Sequence, residues 1–216
     1  MIRIGRPANG VLSLYMNRPE RKNAVTLELV EMLIQAMTPG RTTSVIVLGG
    51  EGRSFSSGID LDHGVLGAVS DRLYELYSVM VESRVPIVAA IRGHAIGAGA
   101  QLALASDLRV ASPDLQMRFP GRDHGLALGT WGLPSLVGRG RAIDLCMTGR
   151  TVIAEEAFRI GLVDRVTEDP DAAALDLAKT LVERGDSQLG KIKSLIGHAV
   201  GLTGALRREA ENNRFR

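Results

Sequence analysis

The sequence has little cysteine, no long apolar run and no strong net charge. Cys146 is the only cysteine, which excludes an intramolecular disulfide framework and any cysteine-based zinc cluster, and which fits a reducing compartment. No segment reaches the roughly 20 apolar residues of a membrane helix, and the first residues lack the apolar stretch of a secretion signal. We therefore expect a soluble, cytoplasmic protein that does not act at a membrane.

The charge balance also limits the partners. Lys and Arg total 26 against 24 Asp and Glu, for a formal net charge of +2, and the two signs are interspersed. This gives no case for a nucleic-acid or membrane-surface partner. A length of 216 residues with 45% hydrophobic content suits one globular unit with a sizeable core.

Apolar patterning in the first two thirds of the chain alternates between strand and helix. Residues 26–37 and 71–83 repeat apolar positions at helical spacing, with Thr26 as the expected N-cap of the first helix. Short, β-branched runs predict strands at residues 11–16, 44–50, 85–91 and 107–112. This alternation predicts an α/β fold with a largely parallel sheet.

From about residue 139 the strand patterns stop. Consecutive helices are expected over residues 141–149, 154–162, 171–185 and 187–213, with Gly149 and Gly161 at C-terminal caps. The pattern divides the chain into a core, residues 1–138, and a helical C-terminal region, residues 139–216.

A tract of small residues follows the strand at 85–91. It reads "GHAIGAGAQLALASD" over residues 93–107. A helix that begins near Gly97 or Ala98 would have N–H groups without intrahelical partners at its positive end, and small side chains would let a ligand oxygen approach them. Such a start could stabilise an oxyanion during acyl chemistry. The tract alone is equally explained by tight packing of small residues on the sheet.

A second segment strengthens the functional interpretation. "EGRSFSSGIDLDHG" (51–64) follows the strand at 44–50 and places Gly58, flanked by Ser56 and Ser57, in a turn at the strand exit. Two turns at neighbouring strand ends could supply a pair of backbone donors.

These segments resemble known motifs. "RSFSSGIDL" is similar to the "FxxGxDL" motif, and residues 93–112 are similar to the "GxxxGGGxxLALxxDxRxA" motif, of the crotonase (enoyl-CoA hydratase/isomerase) superfamily. "MNRPERKNAVT" and "MTGRTVIAEEAFRIGLVDRV" resemble two further segments of that family, in the same order. The resemblance implies a crotonase-like spiral of ββα units followed by a helical region used in trimerisation. It also implies an acyl-CoA substrate, no cofactor besides the coenzyme A of that substrate, no metal, and a homotrimer or hexamer.

The resemblance assigns roles to individual residues. The backbone N–H groups of Ile59 and Ala98 correspond to the two oxyanion donors, and alanine in place of the family's glycine keeps the N–H. Ser57 lies where the family's main chain contacts adenine, and Arg21 and Lys22 lie where cations can meet the phosphates of coenzyme A. A solvated basic loop is the alternative for those two residues. The motifs also imply that four further residues lie at the substrate, namely Ala24, Gly58, Asp60 and Gly97.

The catalytic carboxylates are where the sequence departs from the family. Hydratases of the family use two glutamates, and this chain has Gln101 and Gly121 at those positions. Gln101 shares a helix face with Ala98, so it is expected to reach the thioester, although an amide does not accept a proton at neutral pH. The candidate bases, each of which could equally be a solvated or turn-capping loop residue, are Asp123, His124, Asp60 and His63.

These observations predict an enzyme of the enoyl-CoA hydratase/isomerase type that stabilises a thioester enolate in a backbone oxyanion hole. A hydrolase or decarboxylase reaction on the same fold stays open, as does a non-catalytic acyl-CoA-binding homologue. A dinucleotide-binding oxidoreductase is disfavoured because "GHAIGAG" lies too late in the chain. The sequence ends at Arg216, before a further helix that usually covers the family's acyl pocket, so we expect a more open pocket or altered subunit packing.

Overall fold

The fold combines two β-sheets with helices that surround them. A computed structural model describes residues 1–38, 42–60, 66–185 and 188–214, so the candidate base His63 lies outside the described residues. The strands in this part of the chain are β1 (Ile2–Ala8), β2 (Val11–Met16), β3 (Val45–Gly50), β4 (Ile87–Ile91), β5 (His94–Ile96), β6 (Leu108–Ala111), β7 (Gln116–Arg118), β8 (Val152–Ile153) and β9 (Arg165–Val166).

The larger sheet has the order β1-β2-β3-β4-β6-β9. Only the β1–β2 pair is antiparallel, and every later pair is parallel. Strands β3 and β4 are buried along their whole length, as expected where a parallel sheet is covered on both faces. The smaller sheet has the order β5-β7-β8. The predicted α/β class with a largely parallel sheet is confirmed.

Nine helices occur within the described residues. They are α1 (Leu27–Ala36), α2 (Leu66–Glu82), α3 (Ala98–Ala105), α4 (Leu133–Val137), α5 (Arg139–Thr148), α6 (Ala154–Arg159), α7 (Pro170–Glu183), α8 (Leu189–Ala199) and α9 (Leu202–Asn212). The Thr26 side chain accepts a hydrogen bond from the Leu29 N–H, which confirms it as the N-cap of α1. None of the helices in these ranges is long and apolar enough to span a bilayer.

Two predictions about the last third of the chain are wrong. Strands do not stop at residue 139, because Val152–Ile153 pairs with β7 and Arg165–Val166 pairs with β6. Strands of two residues are too short to leave a period in the sequence and are determined by their tertiary partners. The helix expected over 187–213 is instead two helices, α8 and α9, separated at Gly201, which has a φ of 64°.

Helix α7 covers one face of the larger sheet. Its Ala174 and Ala178 are fully buried against Val11, Val45 and Val88 of the sheet. The region after residue 138 therefore contributes to the same folded unit, and a boundary at residue 138 remains a prediction.

Strands β3 and β4 are direct neighbours, with Val47 opposite Val88. Since parallel strands end at the same edge of a sheet, the segments that follow them emerge side by side. These segments, residues 51–60 and 93–99, are the two that the sequence singled out.

Candidate functional site

The turn that contains Ile59 is held by backbone bonds on both sides. The Val25 N–H donates to the Gly58 carbonyl at 2.8 Å, and the Asp60 N–H donates to the Val25 carbonyl at 2.9 Å. In this parallel bridge both bonds from Val25 pass to the residues that flank Ile59, so the N–H of Ile59 points away from Val25. No acceptor within the described ranges bonds that N–H.

Helix α3 begins at the second predicted donor. Gly97 is the N-cap, with a φ of 53° that favours glycine, and its N–H donates to the Arg118 carbonyl at 3.0 Å. Ala98 is the first helical residue and is 6% exposed. Its N–H has no bonded acceptor among the residues that the structure describes, as expected in a first helical turn.

The two segments lie against each other because Gly99 carries no side chain where helix α3 meets Ser56. A β-carbon built on Gly99 would lie 2.6 Å from the Ser56 carbonyl oxygen, and one built on Gly58 would lie 3.7 Å from the Ala98 nitrogen. Ser56 also pairs with β5, since its N–H donates to the His94 carbonyl at 2.9 Å. The turn and the helix start are thus one packed unit that carries two unbonded N–H groups.

The loop before the turn brings the predicted coenzyme A residues together. The Ser57 N–H donates to the Lys22 carbonyl at 3.0 Å, and the Ser57 hydroxyl donates to the Arg21 carbonyl at 3.5 Å. Arg21 and Lys22 are exposed, whereas Ala24 is 9% exposed. Their role at phosphates remains a prediction.

Asn23 fixes this loop and was not singled out by the sequence. It is fully buried, and its side-chain oxygen accepts from the Arg18 N–H at 2.8 Å. Its amide donates to the carbonyls of Glu51 at 3.0 Å and Ser54 at 2.7 Å. Its own carbonyl accepts from the Ser56 hydroxyl at 2.8 Å. Asn23 therefore ties the basic loop to the turn that contains Ile59.

Asp60 is engaged in an ion pair. Its carboxylate lies 3.0 Å from the Arg18 guanidinium, and its side chain is 5% exposed. The same guanidinium donates to the Ala24 carbonyl at 2.7 Å. This geometry holds the turn against the basic loop, which is the structural role that the sequence allowed for Asp60.

Gln101 is buried in a network of its own. The residue is only 2% exposed. Its side-chain oxygen accepts from the Trp131 indole N–H at 2.7 Å and from the Gly129 N–H at 3.1 Å. We expected Gln101 to reach the thioester, and any contact through its side-chain oxygen would require those bonds to break. A catalytic role for Gln101 stays a prediction.

The loop candidates for a base lie on the surface. Asp123 and His124 belong to a 3-10 helix, Gly121–His124, and the Asp123 carboxylate is 2.8 Å from the Arg118 guanidinium with its side chain 51% exposed. No hydrogen bond within the described ranges joins either residue to Ile59 or Ala98. Gly121 is tightly enclosed, since a β-carbon there would lie 2.6 Å from the Leu126 carbonyl oxygen.

Sequence reasoning missed Glu209. This residue of α9 is 3% exposed, and its carboxylate accepts four hydrogen bonds. The donors are the Tyr74 hydroxyl at 3.0 Å, the Gly129 N–H at 3.3 Å, the Thr130 hydroxyl at 2.6 Å and the Trp131 N–H at 3.2 Å. Burial raises the pKa of Glu209, and the bonds from Thr130 and Tyr74 oppose that rise. The local sequence "LRREAENN" is mostly polar and gives no signal that one of its carboxylates is buried.

The protein resembles known proteins along nearly its whole length. The family model "Enoyl-CoA hydratase/isomerase" matches residues 6–216. The chain belongs to the enoyl-CoA hydratase/isomerase family. The motif-based identification is therefore confirmed, and the protein is an enzyme of the enoyl-CoA hydratase/isomerase type.

Relatives from mycobacteria carry the same family name. "Probable enoyl-CoA hydratase echA6" of Mycobacterium leprae is 41% identical over 177 residues, which cover 77% of this chain and 72% of that protein. Its Mycobacterium tuberculosis counterpart is 43% identical over 173 residues, covering 77% and 71%.

Solved structures of the family share the fold. Enoyl-CoA hydratase from Bacillus anthracis superposes with a TM-score of 0.87 at 25% identity, covering 98% of this chain and 90% of that one. A Thermobifida fusca protein solved in complex with acetoacetyl-CoA has a TM-score of 0.84 at 32% identity, covering 97% and 92%. The predicted crotonase-like fold is confirmed.

Proposed function

We propose that this protein binds acyl-CoA thioesters and stabilises a thioester enolate through the backbone N–H groups of Ile59 and Ala98. The observation that carries the proposal is that these two N–H groups, unbonded within the described residues, lie on segments in direct contact. The Thermobifida fusca relative in complex with acetoacetyl-CoA supports the substrate class. Coenzyme A enters as part of the substrate, and no further cofactor or metal is proposed.

The proposed chemistry depends on the negative charge that develops on the thioester oxygen. When a base removes a proton from the carbon next to the thioester carbonyl, the electron pair of that C–H bond forms the new C=C bond, and the π electron pair of the carbonyl moves onto its oxygen. Two fixed N–H donors and the positive end of helix α3 favour the negative oxygen that results. The donors are held by the backbone, so they do not need to reorganise during the reaction.

The residues at the two glutamate positions favour reactions other than efficient hydration. Gln101 has its oxygen bonded to Trp131 and Gly129, and Gly121 has no room for a larger side chain. We propose an isomerase or decarboxylase reaction, which passes through an enolate, or a hydrolase reaction, in which the same N–H groups would hold the oxyanion of a tetrahedral intermediate. These reactions need the oxyanion hole with one base or none. We also propose that the chain assembles as a homotrimer or hexamer. Tight acyl-CoA binding without turnover on a panel of thioesters would instead indicate a non-catalytic binding protein.

The oxyanion hole is tested at Ala98. Ala98→Val puts a branched side chain where the thioester approaches, and we expect turnover to fall by about 10²- to 10³-fold, as for the loss of one oxyanion donor. Ala98→Gly keeps the N–H and is the matched control with near wild-type activity. Calorimetry with acetoacetyl-CoA and crotonyl-CoA measures binding, and thermal unfolding checks the fold. A folded Ala98→Val variant with full binding and turnover would contradict the assignment.

The base is tested at Asp123. Asp123→Asn keeps the shape and removes the proton acceptor, so kcat is expected to fall by at least about tenfold while acyl-CoA binding changes little. Asp176→Asn, at a residue whose side chain is 75% exposed on α7, is the control. An unchanged kcat in Asp123→Asn would exclude Asp123, and a pH profile with a break near neutral would then indicate His124.

A further inference from the structure

Glu209, a buried residue of helix α9, is hydrogen-bonded to residues that also contact helix α3. Helix α3 carries the proposed oxyanion donor Ala98. We propose that Glu209 is a positioning residue for the acyl site, acting on helix α3 through the loop at residues 127–131 and through Tyr74. This inference rests on the proposed function, because it assigns a role in acyl-CoA binding to a residue that does not itself meet the substrate.

The first step is the way Glu209 organises the loop. One carboxylate oxygen accepts from the Gly129 N–H, and the other accepts from the Thr130 hydroxyl and the Trp131 N–H. Three successive residues thus direct donors at one anion, as in the concave backbone sites that bind anions. The conformation of the loop that precedes α4 is therefore tied to the carboxyl group of a residue in α9.

The second step joins the loop to helix α3. The Gly129 N–H is shared between Glu209, at 3.3 Å, and the side-chain oxygen of Gln101, at 3.1 Å. Trp131 makes the same connection with two different groups, since its backbone N–H donates to Glu209 and its indole N–H donates to Gln101. Gln101 lies one helical turn after Ala98, so the loop fixes the first turn of α3.

The third step is a second connection through two tyrosines. The Tyr74 hydroxyl donates to Glu209 and accepts from the Asn213 amide at 2.6 Å. Its ring packs edge-on against Tyr77, with 5.7 Å between ring centroids. The Tyr77 hydroxyl donates to the Ala98 carbonyl at 3.3 Å. Glu209 therefore reaches the peptide unit next to the proposed oxyanion donor by a route that does not pass through Gln101.

A carboxylate suits this position better than any other side chain of its size. An ionised carboxylate only accepts, whereas the NH2 group of an amide would replace one of the two oxygens and face either the Gly129 N–H or the Trp131 N–H. Buried donors left unpaired destabilise the arrangement that faces them. Glu209→Gln is thus expected to loosen the loop while changing the side-chain volume very little.

The test compares Glu209→Gln with Glu211→Gln, which removes the same charge from an exposed position of α9. Trp131 is the only tryptophan, so its fluorescence reports the loop without any ligand. Calorimetry with acetoacetyl-CoA then gives the Kd and the number of binding sites per chain. We expect a shifted Trp131 emission and a Kd raised by roughly 2- to 30-fold at unchanged stoichiometry in Glu209→Gln, with neither change in Glu211→Gln.

The outcomes separate positioning from stability. A purely structural role would lower the number of sites, through loss of folded protein, and leave the Kd of the remaining sites unchanged; that result overturns the proposal. If Glu209→Gln does not fold, Thr130→Val removes one of the four donors and is expected to shift the Kd in the same direction. An unchanged Kd in that variant also overturns the proposal. Wild-type protein that binds no acyl-CoA would overturn the proposed function itself, whatever Trp131 shows.

Discussion

Gly99→Ala is expected to reduce turnover by about 10²- to 10³-fold, although it adds only one methyl group. The new β-carbon would lie 2.6 Å from the Ser56 carbonyl oxygen and 2.7 Å from the Ser56 β-carbon, so the turn and the helix must separate. Ile59 lies in that turn, and Ala98 precedes Gly99 in the helix. Their separation would move one N–H group away from the position proposed for the enolate oxygen. Turnover and calorimetric binding of acyl-CoA measure the effect.

The control for Gly99→Ala is the same substitution where it has room. A β-carbon on Gly197 of α8 meets nothing within 4 Å, and alanine is favoured over glycine in a helix by about 1 kcal/mol. Gly197→Ala should therefore keep activity and stability. Because helix propensity also favours alanine at position 99, any loss in Gly99→Ala comes from the contact with Ser56, at about 1 to 3 kcal/mol for overpacking. Full activity in Gly99→Ala would show that the approach of turn and helix is not required.

Asn23→Ala is expected to lower the free energy of unfolding by about 3 kcal/mol or more. It leaves the Arg18 N–H and the carbonyls of Glu51 and Ser54 without their partner, and it puts alanine at a φ of 54°. Denaturant unfolding gives the change in free energy. Asn23→Gly removes the same bonds without the backbone strain, so the difference between the two variants isolates the strain.

The exposed Asn17 provides the comparison for Asn23. Asn17→Ala should change stability by no more than about 0.5 kcal/mol, as surface substitutions usually do. A similarly small effect of Asn23→Ala would mean that the basic loop is held by other contacts. A large effect, together with weaker acyl-CoA binding, would agree with the tie between this loop and the Ser56 turn.

The elements that sequence could predict are those whose signals are local. Buried β-branched runs gave β2, β3, β4 and β6 within about two residues, an error usual for element boundaries, and the side chain of Thr26 caps α1 as expected. Strands β5, β7, β8 and β9 have two or three residues each. Strands this short exist because a partner strand lies beside them, so no periodicity in their own residues reveals them.

The same contrast holds for the candidate site. Glycines and small residues that follow a strand identify Gly58 and Gly97 locally, because a positive φ needs glycine there. The partners of Gln101 and Glu209 are set by packing between distant segments. Trp131 is 30 positions from Gln101, and Thr130 is 79 positions from Glu209. The sequence therefore predicted the two turns that carry the proposed donors. It did not predict the hydrogen-bond partners of Gln101 and Glu209.

The distance along the chain between Glu209 and its partners sets an order of assembly during synthesis. Tyr74 is synthesised 135 residues ahead of Glu209, so the residues of helices α2 and α3 leave the ribosome before the carboxylate that joins them to the 127–131 loop. Until then the donors of Tyr74, Thr130 and Trp131 need water as their partner, which keeps that part of the nascent core hydrated. The proposed site would thus reach its final arrangement only after α9 has been synthesised and has docked on α2 and the 127–131 loop.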